Sequence, residues 1–327
     1  MTNRPQRKSP EVPKQIEDVV KNFVEKRKNP CLFLLTTLVS VDTLYKLMDI
    51  LWDSYFSVLD VVLTTPWWLW EAAFKVAKLF RNHCEELNIF VPARAKSAGT
   101  FITLAADNIC LWKLGELWPL DVQLQEVDEF WRILNKSALE EFKALEYIKK
   151  HTINTLNETN VLINDATRLN IKDIVHLANE FTWHTSWKLY EKVDIRKLWL
   201  YSRELEVWKL YGYKILMDYW KTAPQQADEI VQRLVYWYPS HWFVIDDAEC
   251  RNLWLKIIEP GDVTIEMNLL NPLLLQFEIV LEKKGLNIDF IKLFDYNTGN
   301  NNLNDSIENN VETIQEQGLW IWEWDVQ

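Results

Sequence analysis

From Cys31 onward, short apolar runs alternate with stretches whose apolar residues recur every three or four positions. Cys31–Thr37, Leu59–Thr64, Asn88–Val91 and Asn108–Leu111 read as buried strands, with amphipathic helices over Asp42–Asp53, Glu71–Arg81 and Ser97–Ala106 between or after them. Runs of this kind, apolar on both faces and separated by helices, predict an α/β core with a mostly parallel sheet. The first 30 residues are polar and hold Pro5, Pro10 and Pro13, so they read as a tail with one short helix over Pro13–Glu25. Leu124–Arg168 predicts two long helices, and Lys172–Phe181 and Pro224–Tyr236 predict two more. After residue 258 the character changes. Val263–Leu270, Leu273–Leu281 and Ile288–Phe294 read as strands, separated by Asn-rich loops such as Asn297–Asn304, which predicts a small appended β-rich module over 259–327. The chain thus divides into a tail at 1–30, a core domain at 31–258 and that module.

Charge narrows the classes of partner. The 36 basic and 47 acidic side chains give a formal charge of −11, which argues against duplex nucleic acid as a ligand. The longest apolar stretch, Cys31–Val41, is broken by Ser40 and falls short of the roughly 20 residues of a membrane span. Cys31, Cys84, Cys110 and Cys250 lie far apart with no CxxC pair, so neither a disulfide framework nor a zinc site is expected. No signal-type start is present, and a reducing, cytoplasmic setting fits. No phosphate-binding glycine loop, HExxH or paired ligand spacing occurs, so no cofactor and no metal is expected.

Composition adds one anomaly. The 327 residues include only 7 glycines but 18 tryptophans. A chain of this size needs left-handed turns and helix C-caps, for which glycine is the default residue. Taken together the two residue types come to about the 7% share that glycine alone usually holds.

The chemistry concentrates between Thr64 and Gln123. Thr65-Pro66-Trp67-Trp68 follows a strand, Glu71-Ala72-Ala73 opens a helix, and Ala95-Lys96-Ser97-Ala98-Gly99-Thr100 forms a strand-to-helix turn. Trp118-Pro119-Leu120-Asp121-Val122-Gln123 closes the stretch; further on come Tyr236-Trp237-Tyr238-Pro239-Ser240-His241-Trp242-Phe243-Val244-Ile245-Asp246 and Leu253-Trp254-Leu255. These blocks resemble those of the Clp-fold serine proteases. They are most similar to the serine dehydrogenase proteinase group, a relative of signal peptide peptidase and of the proteolytic subunit of Clp. That family has T-P-G-G, A-x-S-[AG]-G-T, G-P-[IV]-D-P-Q, Y-G-Y-P-S-H-G-F-V-I-D and L-G-L at these points, and the resemblance runs from Cys31 to Ile258. At Trp67, Trp68, Trp118, Trp237, Trp242 and Trp254 the family has glycine. One cause is expected for the deficit, the excess and the substitutions: a reading frame in which UGA encodes glycine, translated with a table in which UGA encodes tryptophan.

The resemblance implies a spiral of β-β-α units with added helices, as in the Clp and crotonase folds, and a serine endopeptidase acting on polypeptides through an acyl-enzyme. Amide hydrolysis by serine needs an activated hydroxyl, a proton acceptor and N–H donors aimed at the oxyanion. Ser97 is the implied nucleophile; its other reading is an ordinary N-cap. The implied oxyanion donors are the backbone at Trp67, Trp68 and Ala98, where two indoles would crowd the cleft. For the base, His241 lies in a family block, while Lys136 is an alternative because some relatives use a lysine. Asp121 and Asp246 are candidates to orient His241 or to cap helices. His83, His151 and His176 fall on predicted helices as solvated side chains, and His184 falls in a loop. Lys96 reads as a substrate contact or a solvated charge. The relatives also imply a homo-oligomer. Two other functions compete: a crotonase-type acyl-thioester enzyme, which lacks the serine, and a non-catalytic scaffold if Trp67 and Trp68 are genuine.

Overall fold

The structure is a computed structural model, which describes residues 12–65, 67–68, 70–120, 123–127, 132–220, 222–294 and 296. The described elements are α1 (Lys14–Arg27), β1 (Cys31–Thr36), β2 (Leu38–Val39), α2 (Val41–Leu51), β3 (Phe56–Thr64), β4 (Trp67–Trp68), α3 (Trp70–Asn82), β5 (Cys84–Val91), β6 (Arg94–Ala95), α4 (Ala98–Thr103), β7 (Asn108–Leu111) and β8 (Glu116–Leu117). They continue as β9 (Gln123–Val127), β10 (Ile133–Ser137), α5 (Ala138–Ala166), α6 (Ile171–Tyr190), α7 (Ile195–Ile215), α8 (Pro224–Gln232), α9 (Asp247–Asn252), α10 (Thr264–Lys284) and β11 (Asp289–Phe294). The chain falls into two compact units, one made by the residues up to Leu120 together with those from Leu210, the other by Asp121–Lys209.

The first unit is built on a five-stranded sheet in the order β11-β1-β3-β5-β7. Strands β1, β3, β5 and β7 are parallel, and β11 runs antiparallel along β1 with Cys31 opposite Phe294. The mostly parallel α/β class expected from the alternating runs is therefore the class found. A unit of long strand, short strand and helix repeats as β1-β2-α2, β3-β4-α3 and β5-β6-α4, followed by β7-β8. The short strands form two separate parallel pairs, β2 with β4 and β6 with β8. Most positions of the main sheet are apolar and buried because both faces are covered, and β1 is buried throughout.

Two corrections concern the ends of the chain. The helix expected in the N-terminal tail is α1, but Ile16, Val20 and Phe23 are fully buried against Phe33, Phe90 and the α10 side chains Met267, Leu270 and Leu274. The two strands expected over Val263–Leu270 and Leu273–Leu281 are one helix, α10, which continues through Pro272. Its buried residues Met267, Leu270, Leu274, Phe277 and Leu281 are spaced three and four apart, a helical period that the dense apolar run and the proline obscured. The third expected strand is β11. The described residues of the expected module, up to Phe294, thus belong to the first unit: α10 packs on α1, and β11 extends the main sheet. Asn297–Asn304 lies outside the described residues.

A polar ladder crosses the same sheet. Asp60 on β3 is fully buried, paired with Arg27 by Nε at 2.7 Å and Nη2 at 3.1 Å. Asn88 on β5 donates to Asp60 Oδ1 at 3.0 Å, and Asn108 on β7 donates to Asn88 Oδ1 at 2.8 Å. Asp60, Asn88 and Asn108 are register partners, so each hydrogen bond locks two strands to one alignment.

The second unit begins with the antiparallel β9-β10 hairpin and continues into the α5-α6 helical hairpin. Two helices were expected over Leu124–Arg168; the alternating Gln123–Val127 segment is a strand instead, and Ala138–Ala166, free of glycine and proline, is one 29-residue helix. Ser137 caps α5, accepting from the N–H groups of Leu139 and Glu140. The helix expected over Lys172–Phe181 extends to Tyr190 and includes His184, placed in a loop from sequence. Ile174, Ala178, Thr182 and Ser186, four residues apart, are its buried line, three of them small enough for close helix contact.

Candidate active site

The site forms where the short strands turn away from the main sheet. Thr65 bridges to Ala95 in parallel register, with the Thr65 N–H donating to the Arg94 carbonyl at 2.8 Å and the Lys96 N–H to the Thr65 carbonyl at 3.1 Å. Two residues further along each strand lie Trp67 and Ser97, so this pairing carries the β4 backbone past the Ser97 turn, and α4 packs on β4. The Trp67 and Trp68 side chains lie outside the described residues, as does Asp121.

Ser97 stands at the N-cap position of α4 but does not cap it. Its backbone has φ 47° and ψ −102°, and its side chain accepts no cap hydrogen bond. A non-glycine residue in this region is strained by about 1 kcal/mol or more, and such strain is characteristic of a sharp strand-to-helix turn that presents a nucleophile. The turn is fixed around it by the Gly99 N–H donating to the Lys96 carbonyl at 2.7 Å and the Phe101 N–H to the Ser97 carbonyl at 3.0 Å. Ser97 is half-buried, and Ala98, the next residue, is fully buried.

Thr100, present in the turn motif but given no role from sequence, ties the following loop to α4. Its Oγ1 donates to the Ala95 and Trp118 carbonyls, at 3.0 and 2.7 Å, and accepts the Trp118 N–H at 3.0 Å. The 117–120 segment is therefore held against the first turn of α4, with the Leu117 N–H donating to the Ile245 carbonyl at 3.0 Å and the Ile245 N–H to the Leu117 carbonyl at 2.9 Å. These bonds connect the Ser97 turn to the segment that carries His241.

His241 is buried and meets the Trp118 ring edge-on, with centroids 5.5 Å apart. Burial, with a smaller push from Lys96, lowers its pKa to about 4, so the imidazole is neutral at pH 7. Lys96 is not the solvated charge expected from its neighbours: it is 8% exposed, with Nζ 3.7 Å from the Trp118 ring centroid. Burial, and then repulsion from Arg94, lowers its amine to about 8. Behind it on α10, Glu278 is buried 3.5 Å from Arg94, and burial raises its carboxyl to about 7 against the pull of Arg94 and Lys96. Sequence reasoning missed Glu278 because it placed the residue on a strand; an acidic residue inside an apolar run was the available signal.

The remaining candidates separate. Asp246 caps α9, accepting the Glu249 N–H at 2.9 Å, the second of its two expected roles. Lys136 lies on β10 in the second unit, two residues before α5, and its side chain is outside the described residues. His176 is an exposed helical residue, as expected, while His83 Nδ1 lies 2.7 Å from the Ser54 carbonyl. The four cysteines are buried free thiols, and burial raises Cys84 and Cys110 to about 12. Among the described residues no group of His, Cys, Asp or Glu is arranged to hold a metal ion, and no helix is long and apolar enough to cross a membrane.

Residues 48–186 match the model of the family described as ClpP-like SDH-type serine proteinase. The matched segment contains the 65–68 turn, Ser97 and the 118–123 block, and it ends before His241. An uncharacterized protein of Methanocaldococcus jannaschii is 41% identical over 66 residues, which are 20% of this chain and 23% of that protein. The chain therefore spans less than a quarter of that relative's length.

Proposed function

We propose that this chain, with a ClpP-like SDH-type serine proteinase segment over residues 48–186, is a serine endopeptidase that hydrolyses polypeptides through an acyl-enzyme on Ser97. The observation that carries the reading is the Ser97 turn, a strained serine between strand and helix whose side chain makes no cap hydrogen bond.

In the proposed reaction Ser97 Oγ attacks the peptide carbonyl carbon while its proton passes to the neutral imidazole of His241. The carbonyl oxygen becomes an oxyanion held by backbone N–H groups at 67, 68 and Ala98, a preorganised arrangement of the kind whose single donors are each worth about 3 kcal/mol. The C–N bond then breaks, the amine leaves with the proton held on His241, and water hydrolyses the ester by the reverse sequence. The parallel pairing of Thr65 with Ala95 supports this assignment, since it brings the 67–68 backbone beside the Ser97 turn.

A fluorophosphonate probe tests the proposal. Labelling that disappears in Ser97→Ala supports it, and labelling retained in that variant rejects it. The fold should tolerate the change, because Ser97 contributes no cap hydrogen bond to α4. Loss of turnover in Lys136→Ala but not in His241→Ala would assign the base to lysine. A crotonase-type enzyme would turn over acyl-thioesters without labelling. A scaffold would do neither, and that outcome is favoured if the indoles at 67 and 68 are genuine.

A further inference from the structure

Helix α9 ends at a left-handed residue. Trp254 has φ 57°, its N–H donates to the Arg251 carbonyl at 2.9 Å, and the Leu255 N–H donates to the Cys250 carbonyl at 3.0 Å. This pair of bonds is the Schellman closure, whose left-handed position is usually glycine because a Cβ there meets the backbone. The same closure ends α10. Gly285 has φ 58°, donates to the Glu282 carbonyl at 3.0 Å, and is followed by Leu286 donating to the Leu281 carbonyl at 3.0 Å. Two helices of one protein therefore end in the same geometry, one on glycine and one on tryptophan. Lys28 is also left-handed, at φ 57°, and closes α1 with its N–H on the Val24 carbonyl. A side chain can thus occupy such a cap, but a lysine reaches solvent, while the indole at 254 is 46% exposed beneath the Arg233 guanidinium, 5.4 Å from its ring centroid.

Other tryptophans fit their sites poorly for different reasons. The indole N–H groups of Trp118 and Trp220 are buried with no hydrogen-bond partner, although a buried Trp usually finds one and an unmet donor costs about 1–3 kcal/mol. The Trp118 backbone is held on both its N–H and its carbonyl by Thr100, a close approach of chain to helix of the kind that glycine permits. Trp237 is 71% exposed and Trp242 59% exposed. A left-handed cap, buried donors and exposed indoles have no shared structural cause, yet they occur in a chain with 7 glycines and 18 tryptophans.

We infer that the native polypeptide carries glycine at positions 67, 68, 118, 237, 242 and 254, and that the tryptophans there are UGA codons read with the wrong table. At 254 the inference stands on backbone geometry, and at the other five positions on composition and on the blocks in which the resembling family has glycine; it does not depend on the chain being a peptidase. Its consequence for the Ser97 turn is nonetheless direct. Glycine at 67 and 68 leaves the β4 backbone without side chains where it passes Ser97. Glycine at 118 and 242 removes the two rings that Lys96 and His241 lie against, opening space on that side of the turn.

Mass spectrometry of the protein purified from its source cells decides the question. The tryptic peptides Leu47–Lys75, Leu234–Arg251 and Asn252–Lys256 cover positions 67, 68, 237, 242 and 254. Glycine residue masses at these positions are expected, and tryptophan masses there overturn the inference. The coding sequence gives a second test: UGA at all six positions is expected, and UGG at any of them overturns it. Either result leaves fluorophosphonate labelling free to succeed or fail separately.

Discussion

At the residue scale, one backbone torsion separates the two readings of position 254. In an ordinary helical site glycine is less stable than alanine by about 0.5–1 kcal/mol, but at a left-handed C-cap the order reverses. With Trp254 at φ 57°, Trp254→Gly should be more stable than Trp254→Ala by about 1 kcal/mol in urea denaturation. Equal stabilities would show that 254 is not held left-handed. His241 offers a second measurement. Its pKa of about 4 lies below the ordinary value near 6.5 because burial disfavours the imidazolium. The unfolded chain then binds the proton more tightly than the folded one between those values. Stability contributed by neutral His241 is present above pH 6.5 and is lost as pH falls toward 4. An NMR titration of the printed chain should place the His241 midpoint near 4, and glycine at 118 and 242 should raise it toward the ordinary value as burial is relieved. A midpoint near 6.5 in the printed chain would contradict the burial.

Among the elements, the polar ladder is the part of the main sheet most sensitive to a single change. Asp60 takes two hydrogen bonds from Arg27 and one each from Asn29 and Asn88 at full burial, so Asp60→Ala leaves all three without their shared acceptor. Breaking one side of a buried pair of this kind typically costs about 3–5 kcal/mol, and a denaturation midpoint measures it. A loss below about 1 kcal/mol would mean that apolar packing alone sets the strand alignment. The α5-α6 hairpin depends on a different device. Its buried line of Ala178, Thr182 and Ser186 offers little apolar area, so its stability rests on close contact rather than on bulk.

For the whole molecule, apolar side chains remain on the outside of the second unit. Ile171, Val175 and Phe181 on α6 are exposed. We propose that a second copy covers them, in keeping with the homo-oligomer that the resemblance implies. Sedimentation of the chain with glycine at 67, 68, 118, 237, 242 and 254 should give a mass above that of one chain, and substitution of Val175 and Phe181 by glutamate should return it to a monomer while leaving probe labelling at Ser97 measurable. A monomeric glycine form would end the oligomer proposal.

The order of strands and helices from Cys31 to Leu111 was legible because each strand is buried on both faces and each helix keeps one apolar stripe, so local pattern and tertiary environment agree. Ser97 was legible as part of a motif; its two readings, cap or nucleophile, were not separable from sequence, since both put serine before a helix. Its torsion and its missing cap bond are products of how β6 and α4 meet. The helix α10 and the place of β11 beside β1 were hidden, because apolar density records burial but not which partner supplies it. The buried states of Lys96, His241 and Glu278 likewise arise from residues distant in the chain: solvent exclusion is a property of the assembled fold. Sequence alone fixed the count of 7 glycines against 18 tryptophans and the blocks in which one stands for the other. Only tertiary structure put one of those tryptophans at a left-handed helix end, because the sign of φ is set by how the chain leaves the helix.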